Sequence, residues 1–399
     1  MIKSRMSERT MKKWQVQKTA LAAGLTAAFH ICPPIQAWAA SPPFAYTEKE
    51  WAAIRDNKLE FEEIDKRIHE YNTTVRQNEI SYKDYQGKDS SEIAQEYYDA
   101  AEEIYDSQPD LDPDSSSYAS ALASYINNEQ RAESLKESGD ASVEDEDTVK
   151  WSDTQAEKKL VRQAQSLMIS YWISVEKLSS LEQELLEAEN SEESVKRKLA
   201  AGMAVQSEVL TAEQTVLNLK SEITSEQSSL NETKTSLILM LGWNEGDSVE
   251  IGSLPEPDPA AIAGISLETD IEQALENNYD LKILGRQLKN AHSSTTEASV
   301  RETLTSGRQA VRANVTMAYQ NLLLAENQYE QAAKAQSLKE QSLETAKRKQ
   351  EAGLLSANSL ASAVSACETA ESSKRIAAYQ LLSAKLEYDW AVAGLAAVS

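Results

Sequence analysis

Lys196-Arg197-Lys198-Leu199-Ala200-Ala201-Gly202 and Lys347-Arg348-Lys349-Gln350-Glu351-Ala352-Gly353 are one phrase written twice, 151 residues apart, with five of seven positions identical. The same offset organises the chain on both sides. After the first glycine, positions 209, 212, 216, 219, 223, 226, 230, 233, 237 and 240 read Val, Ala, Val, Leu, Ile, Glu, Leu, Thr, Leu, Met. After the second, positions 360, 363, 367, 370, 374, 377, 381, 384, 388 and 391 read Leu, Ala, Cys, Ala, Lys, Ala, Leu, Ala, Tyr, Ala. Steps alternate between three and four, which is the seam of a heptad helix. The arms before each glycine behave alike: Leu160, Ala164, Leu167 and Tyr171 answer to Val311, Val315, Ala318 and Leu322. No glycine or proline lies between Gly307 and Gly353, or between Gly353 and Gly394. Each phrase therefore predicts a turn between two antiparallel helices of about 40–45 residues, roughly 65 Å long. The fold class is all-α, a tandem duplication of long coiled-coil hairpins.

Composition supports this. The 399 residues hold 12 glycines and 9 prolines, and the prolines stand at 33–34, 42–43, 109, 113, 255, 257 and 259 only. That leaves 114–254 and 260–399 free of proline, which costs about 3 kcal/mol inside a helix. Three boundaries follow: 1–39 as a leader, 44–254 as the first repeat with an acidic insertion at about 76–150, and 255–399 as connector and second repeat. Within the insertion, short helices are predicted near 90–106 and 117–137. The connector 244–266, holding three prolines, is predicted extended, with helix resuming over 267–291 and Thr269 or Asp270 as cap. A loose counterpart of 274–281 is read at 53–59. Apolar residues widen the stripe beyond a two-helix seam, at Ile376, Leu382, Leu386 and Trp390 and at Leu217, Ile238, Leu239 and Trp243, so a helix must touch more than one neighbour.

Positions 1–18 carry six basic residues and one acid, an apolar stretch follows at 20–31, and Ala37-Trp38-Ala39 supplies a small–x–small cleavage pattern. This reads as an export signal. Ile31 before Cys32 argues against a lipid-modified cysteine. Without the leader the net charge falls from −24 to −29, a surface that repels nucleic acid. One cysteine, Cys367, then remains, so no intramolecular disulfide forms. Its seam position predicts a buried thiol.

No catalytic or metal signature is present. His69 and His292 lie in no ligand cluster, there is no phosphate loop or nucleophile elbow, and Asp110-Leu111-Asp112-Pro113-Asp114 lacks the later ligands of a calcium loop. No enzyme, cofactor or metal is expected. The two turns are the better lead. A plain left-handed glycine cap explains Gly202 and Gly353. It does not explain Met203 or Leu354, apolar residues at the end of a long hairpin; after Met203 a hydroxyl and an acid, Ser207 and Glu208, open the next helix as N-cap chemistry. Such a display makes sense as a docking surface.

In these features the chain resembles the TolC family of outer-membrane efflux ducts, over 150–399 and more weakly over 44–75. The family's tip has the form Gly-Leu-x-x-x-(Ser/Thr)-Asp-(Val/Leu). Gly202, Met203, Ser207, Glu208 and Val209 match it. In the second copy Gly353, Leu354 and Leu360 match, with Asn358 for the hydroxyl and Ser359 for the acid. Ala274–Leu281 and Leu241-Gly242-Trp243 are also similar to the family. The resemblance implies a homotrimer forming an α-barrel, tips abutting a periplasmic adaptor protein served by an inner-membrane transporter, efflux transport, and an exported, envelope location. The family's β-strands would fall at about 76–150 and 292–308, where no alternating apolar pattern occurs. The alternative is a coiled-coil scaffold of the envelope without transport.

Overall fold

A computed structural model describes residues 45–291 and 293–398; the export signal, Cys32 and His292 lie outside the described residues. The described residues open with α1 (Glu48–Ala53), a two-residue strand β1 (Lys58–Leu59), α2 (Ile64–Tyr71) and α3 (Thr73–Tyr82). The insertion folds as a helical hairpin of α4 (Ser90–Asp106) and α5 (Tyr118–Ala141). The first long hairpin is α6 (Glu146–Ala200) with α7 (Gln206–Met240). The connector holds β2 (Glu250–Ile251), paired in parallel with β1, and a five-residue helix α8 (Pro259–Ala263). Then come α9 (Leu267–Asn277), α10 (Tyr279–Asn290), and the second long hairpin, α11 (Ser294–Glu351) with α12 (Ala357–Trp390). The fold class is the expected one.

The arms are unequal. Ascending helices run 55 and 58 residues and descending ones 35 and 34, not 40–45 each. Gly307 does not bound α11. It sits buried within the helix, where a Cβ would lie 3.2 Å from Leu281 and 3.3 Å from Val398. Its missing side chain permits close packing rather than a break. All twenty seam positions after the two glycines are buried or half-buried. Cys367 is half-buried, not core, because the small residues around it leave the seam thin.

The four long helices lie side by side in the order α7, α6, α12, α11. Leu382, Leu386 and Trp390 of α12 pack into the first hairpin's core, which accounts for the widened stripe. Trp390 donates its indole N–H to Gln165 at 2.8 Å, and Arg375 pairs with Glu176 at 2.8 Å. Leu217 and Leu239, read as part of that stripe, are exposed instead.

Both cores sit at the base, away from the glycine turns. One gathers Leu59, Ile64, Ile68, Val161, Met168, Leu237, Leu241 and Ile251. The other gathers Ile271, Leu281, Val311, Val315, Leu322, Leu381 and Tyr388. Here the duplication shows in a detail the sequence comparison missed. Asn72 caps α3 and donates from Nδ2 to the Met240 carbonyl at 2.9 Å; Asn278 caps α10 and donates to the Ala396 carbonyl at 2.8 Å. The counterpart of 274–281 is therefore 68–75, not 53–59. Asn278 also splits the helix expected over 267–291. Ser266, rather than Thr269 or Asp270, stands at the N-cap position of α9, and Asp270 instead accepts from the Tyr388 hydroxyl at 2.6 Å. Since 130 residues separate Asn72 from Gly202 and 75 separate Asn278 from Gly353, the first copy's insertion amounts to 55 residues.

Buried polar groups tie the base. Arg67 donates to the carbonyls of Ile54 (2.5 Å) and Leu241 (3.3 Å), closing the end of α7, and lies 3.3 Å over the Trp243 ring. Burial lowers its pKa to about 10. Asp145 caps α6 and receives Arg286, Asn290 (2.8 Å) and the Thr148 amide (3.0 Å). Burial pushes its pKa up, but these bonds outweigh it and hold the carboxyl below its usual range. The insertion is thus anchored to the second repeat.

His69 meets Glu157 at 2.9 Å, and that bond raises the imidazole pKa against the opposing effect of burial. A raised folded-state pKa contributes stability fully below the unfolded value of about 6.5, and loses it as pH rises through the folded value. His69→Gln should therefore lower Tm more at pH 5.5 than at pH 9. An equal decrement at both would show that the pair carries no charge.

Candidate functional site: the hairpin tips

Each tip is built the same way. Helix α6 ends as Met203 N–H bonds the Lys198 carbonyl (2.8 Å) and Gly202 N–H bonds that of Leu199 (2.9 Å). Helix α11 ends as Leu354 N–H bonds Lys349 (2.8 Å) and Gly353 N–H bonds Gln350 (2.9 Å). This double closure needs a left-handed residue, and Gly202 and Gly353 have φ of +72° and +70°. The glycines' capping role is thereby accounted for.

The next helix starts four residues after each glycine. Val205 and Ser356 are the N-cap residues. Ser207 and Asn358 therefore lie at the second helical position, Glu208 and Ser359 at the third. The capping is done from opposite ends of the same pair. Glu208 accepts from the Val205 amide at 3.2 Å, whereas Ser356 accepts from the Ser359 amide at 3.2 Å. Sequence reasoning placed the cap at the hydroxyl–acid pair and missed Ser356. Its position three before Ser359 was the available signal.

Capping leaves the apolar residues unexplained. Met203 is 73% exposed and Leu354 77%, the largest exposures among the big apolar side chains, and Val205 is exposed beside them. Each tip's four predicted residues are brought together: Gly202, Met203, Ser207 and Glu208 in one, Gly353, Leu354, Asn358 and Ser359 in the other. Such a surface can bind; it holds no constellation for chemistry. Among the described residues no group of three His, Cys, Asp or Glu side chains could hold a metal, and no helix is long and apolar enough to cross a membrane. Both windows where the resemblance would put β-strands are largely helical. One holds α4 and α5 and the other the start of α11, and the sheet of β1 and β2 lies elsewhere.

No protein-family profile and no curated protein sequence matches the chain. Solved structures do. A membrane protein from Pseudomonas aeruginosa superposes with a TM-score of 0.53 at 13% identity, over 84% of this chain and 90% of that one. CusC, whose crystal structures concern folding and transmembrane channel formation, superposes with a TM-score of 0.50 at 12% identity, over 88% and 96%. At such identities the likeness is one of architecture: this chain has the all-α, duplicated-hairpin fold of a TolC-like protomer.

Proposed function

We propose that the chain is an exported subunit of a cell-envelope duct for efflux or secretion. Three copies close into an α-helical barrel, and the tips abut the coiled-coil hairpins of a periplasmic adaptor that links the duct to an inner-membrane transporter. The observation that carries this is on the two outer helices. Exposed apolar residues stand at matching heights on opposite edges of the protomer. Leu217 on α7 and Leu338 on α11 each lie 15 residues from their tip glycine, and Leu239 and Met317 lie 37 and 36 residues away. All four are exposed in the single chain, so their burial requires the edge of another copy. The edges also differ in charge, with α7 carrying −3 and α11 carrying +1 in a chain of −24.

Sedimentation equilibrium of the mature protein tests it. The wild type is expected at three times the chain mass, and Leu217→Asp with Leu338→Asp at the monomer mass with unchanged helical circular dichroism. A monomeric wild type would sink the reading. For the tips, Gly202→Glu with Gly353→Glu should abolish binding to the cognate adaptor while leaving the oligomer intact. The helical insertion favours one other reading, a scaffold without transport. Small-angle scattering separates the two, since a solid rod fits the scaffold and a hollow particle the duct.

A further inference from the structure

We propose that the tips dock on a partner protein segment that presents carboxylates around an apolar socket. The proposal rests on the tip reading above and names the chemistry of the partner.

The starting point is the collar beneath each apolar knob. Lys196-Arg197-Lys198 and Lys347-Arg348-Lys349 are identical in the two copies, whereas the ten paired seam positions that follow the glycines agree at only two, Ala212 with Ala363 and Leu230 with Leu381. The two hairpins have diverged where packing governs them and stayed alike at the collar. All six side chains are exposed, so packing does not explain the identity. Cations near a helix C-terminus offset the dipole. That accounts for positive charge in general, but not for the same three residues in the same order. It is also not general in this chain: α10 ends with Lys289 and α2 with His69, but α4, α5, α7, α9 and α12 have no basic residue in their last turns.

Half of the collar is already engaged. Lys196 bonds Glu192 and Glu213, Arg197 lies 3.7 Å from Glu193, and Lys347 lies 2.9 Å from Glu344. Lys198, Arg348 and Lys349 have no carboxylate within ion-pair distance among the described residues. They stand in the last turn before the exposed Met203 and Leu354, one unpaired cation (Lys198) at the first tip and two (Arg348 and Lys349) at the second.

An anionic membrane surface is the competing partner, and the charge sums disfavour it. A bilayer responds to the field summed over many charges, screened over about a Debye length of roughly 8 Å. Next to the turns the cations prevail, three to one over both 196–208 and 347–359, but over 189–213 the acids outnumber the bases, five to three, over the equivalent 340–364 they balance, three to three, and the chain as a whole carries −24. The cationic patch at each tip is therefore small and set on an acidic molecule. Individual ion pairs with placed carboxylates are available to a protein surface and not to a diffuse one.

The test uses the full chain in the cells that make it. A photo-crosslinking amino acid replaces Met203 or Leu354, and mass spectrometry identifies the adduct and the contacted segment. In a second strain Lys198→Glu, Arg348→Glu and Lys349→Glu are added; none of these breaks an ion pair of the protomer. The expected result is a protein adduct on a segment bearing Asp or Glu. Its yield should fall about tenfold on charge reversal and return when the contacted acids are changed to Lys. Circular dichroism and sedimentation of the purified variant check that fold and assembly are unchanged, and a Gln set at the same three positions covers a variant that fails to fold. An adduct whose yield survives charge reversal overturns the acidic partner while leaving tip docking standing. No adduct, or adducts only with lipid or with a second copy of this chain, overturns both.

Discussion

Replacing Leu381 by Asp is expected to destabilise the second hairpin by about 4 kcal/mol or more, enough to unfold a marginal domain. Leu381 is fully buried among Ile271, Val311, Val315 and Leu322 where α12 meets α11. Two costs add. The lost apolar burial alone amounts to roughly 2–3 kcal/mol, and a carboxylate placed among these apolar side chains is desolvated, which favours its protonated form. Leu219, a seam residue of the first copy at the other of the two alternating heptad positions, is only half-buried, so Leu219→Asp should cost distinctly less. Chemical denaturation of the two variants measures the difference. Equal losses would mean that the seam, not the basal core, holds the hairpins.

Gly242→Ala is expected to cost about 3 kcal/mol or more, although it adds a single carbon. Gly242 closes α7 at φ +84°, with Trp243 N–H on Ile238 at 3.0 Å and its own N–H on Leu239 at 3.1 Å. A left-handed non-glycine residue costs about 1–2 kcal/mol by itself. At Gly242 the added carbon would also overlap the Tyr71 Cβ and stand 3.1 Å from the Tyr71 carbonyl oxygen, and neither can retreat without moving α2 off the core. Gly202 and Gly353 provide the comparison. Their φ values are close to it, but no atom lies within 4 Å of the added carbon. Gly202→Ala should therefore show the backbone cost alone. A melting series on Gly242→Ala, Gly202→Ala and Gly353→Ala reads the steric share directly. Indistinguishable melting points would show that Tyr71 yields freely.

The hairpins were legible because period and punctuation agreed. A heptad seam needs only spacing to be read, and Gly202 and Gly353 interrupt otherwise uniform helical sequence. The insertion's helices were legible for the same reason. What escaped notice depended on partners far apart in the chain. Gly307 looks like an interruption until Leu281 and Val398 are seen against it. The equivalence of Asn72 and Asn278 rests on carbonyls 168 and 118 residues away, and the residues around them share little lettering. Asp145 looked like one more acid in an acidic loop, and only its place beside Arg286 and Asn290 sets it apart. At the tips the sequence shows where the chain turns, at Gly202 and Gly353. Which residue caps the returning helix could not be read from the hydroxyl–acid pair, because the two copies exchange the capping roles of side chain and backbone.

The placement of both cores at one end has a mechanical consequence. From Leu237 to Gln206, where α7 begins, is 31 residues of helix, about 47 Å at 1.5 Å per residue, held along most of its length by a thin seam. Each hairpin is a cantilever clamped at its foot. A tilt of about 5° in the packing around Leu237 or Leu381 displaces the far end by about 4–5 Å on that arm length, more than the width of a methyl group. The aim of Met203 and Leu354 is therefore set at the clamp, and small repacking there is magnified at the tips.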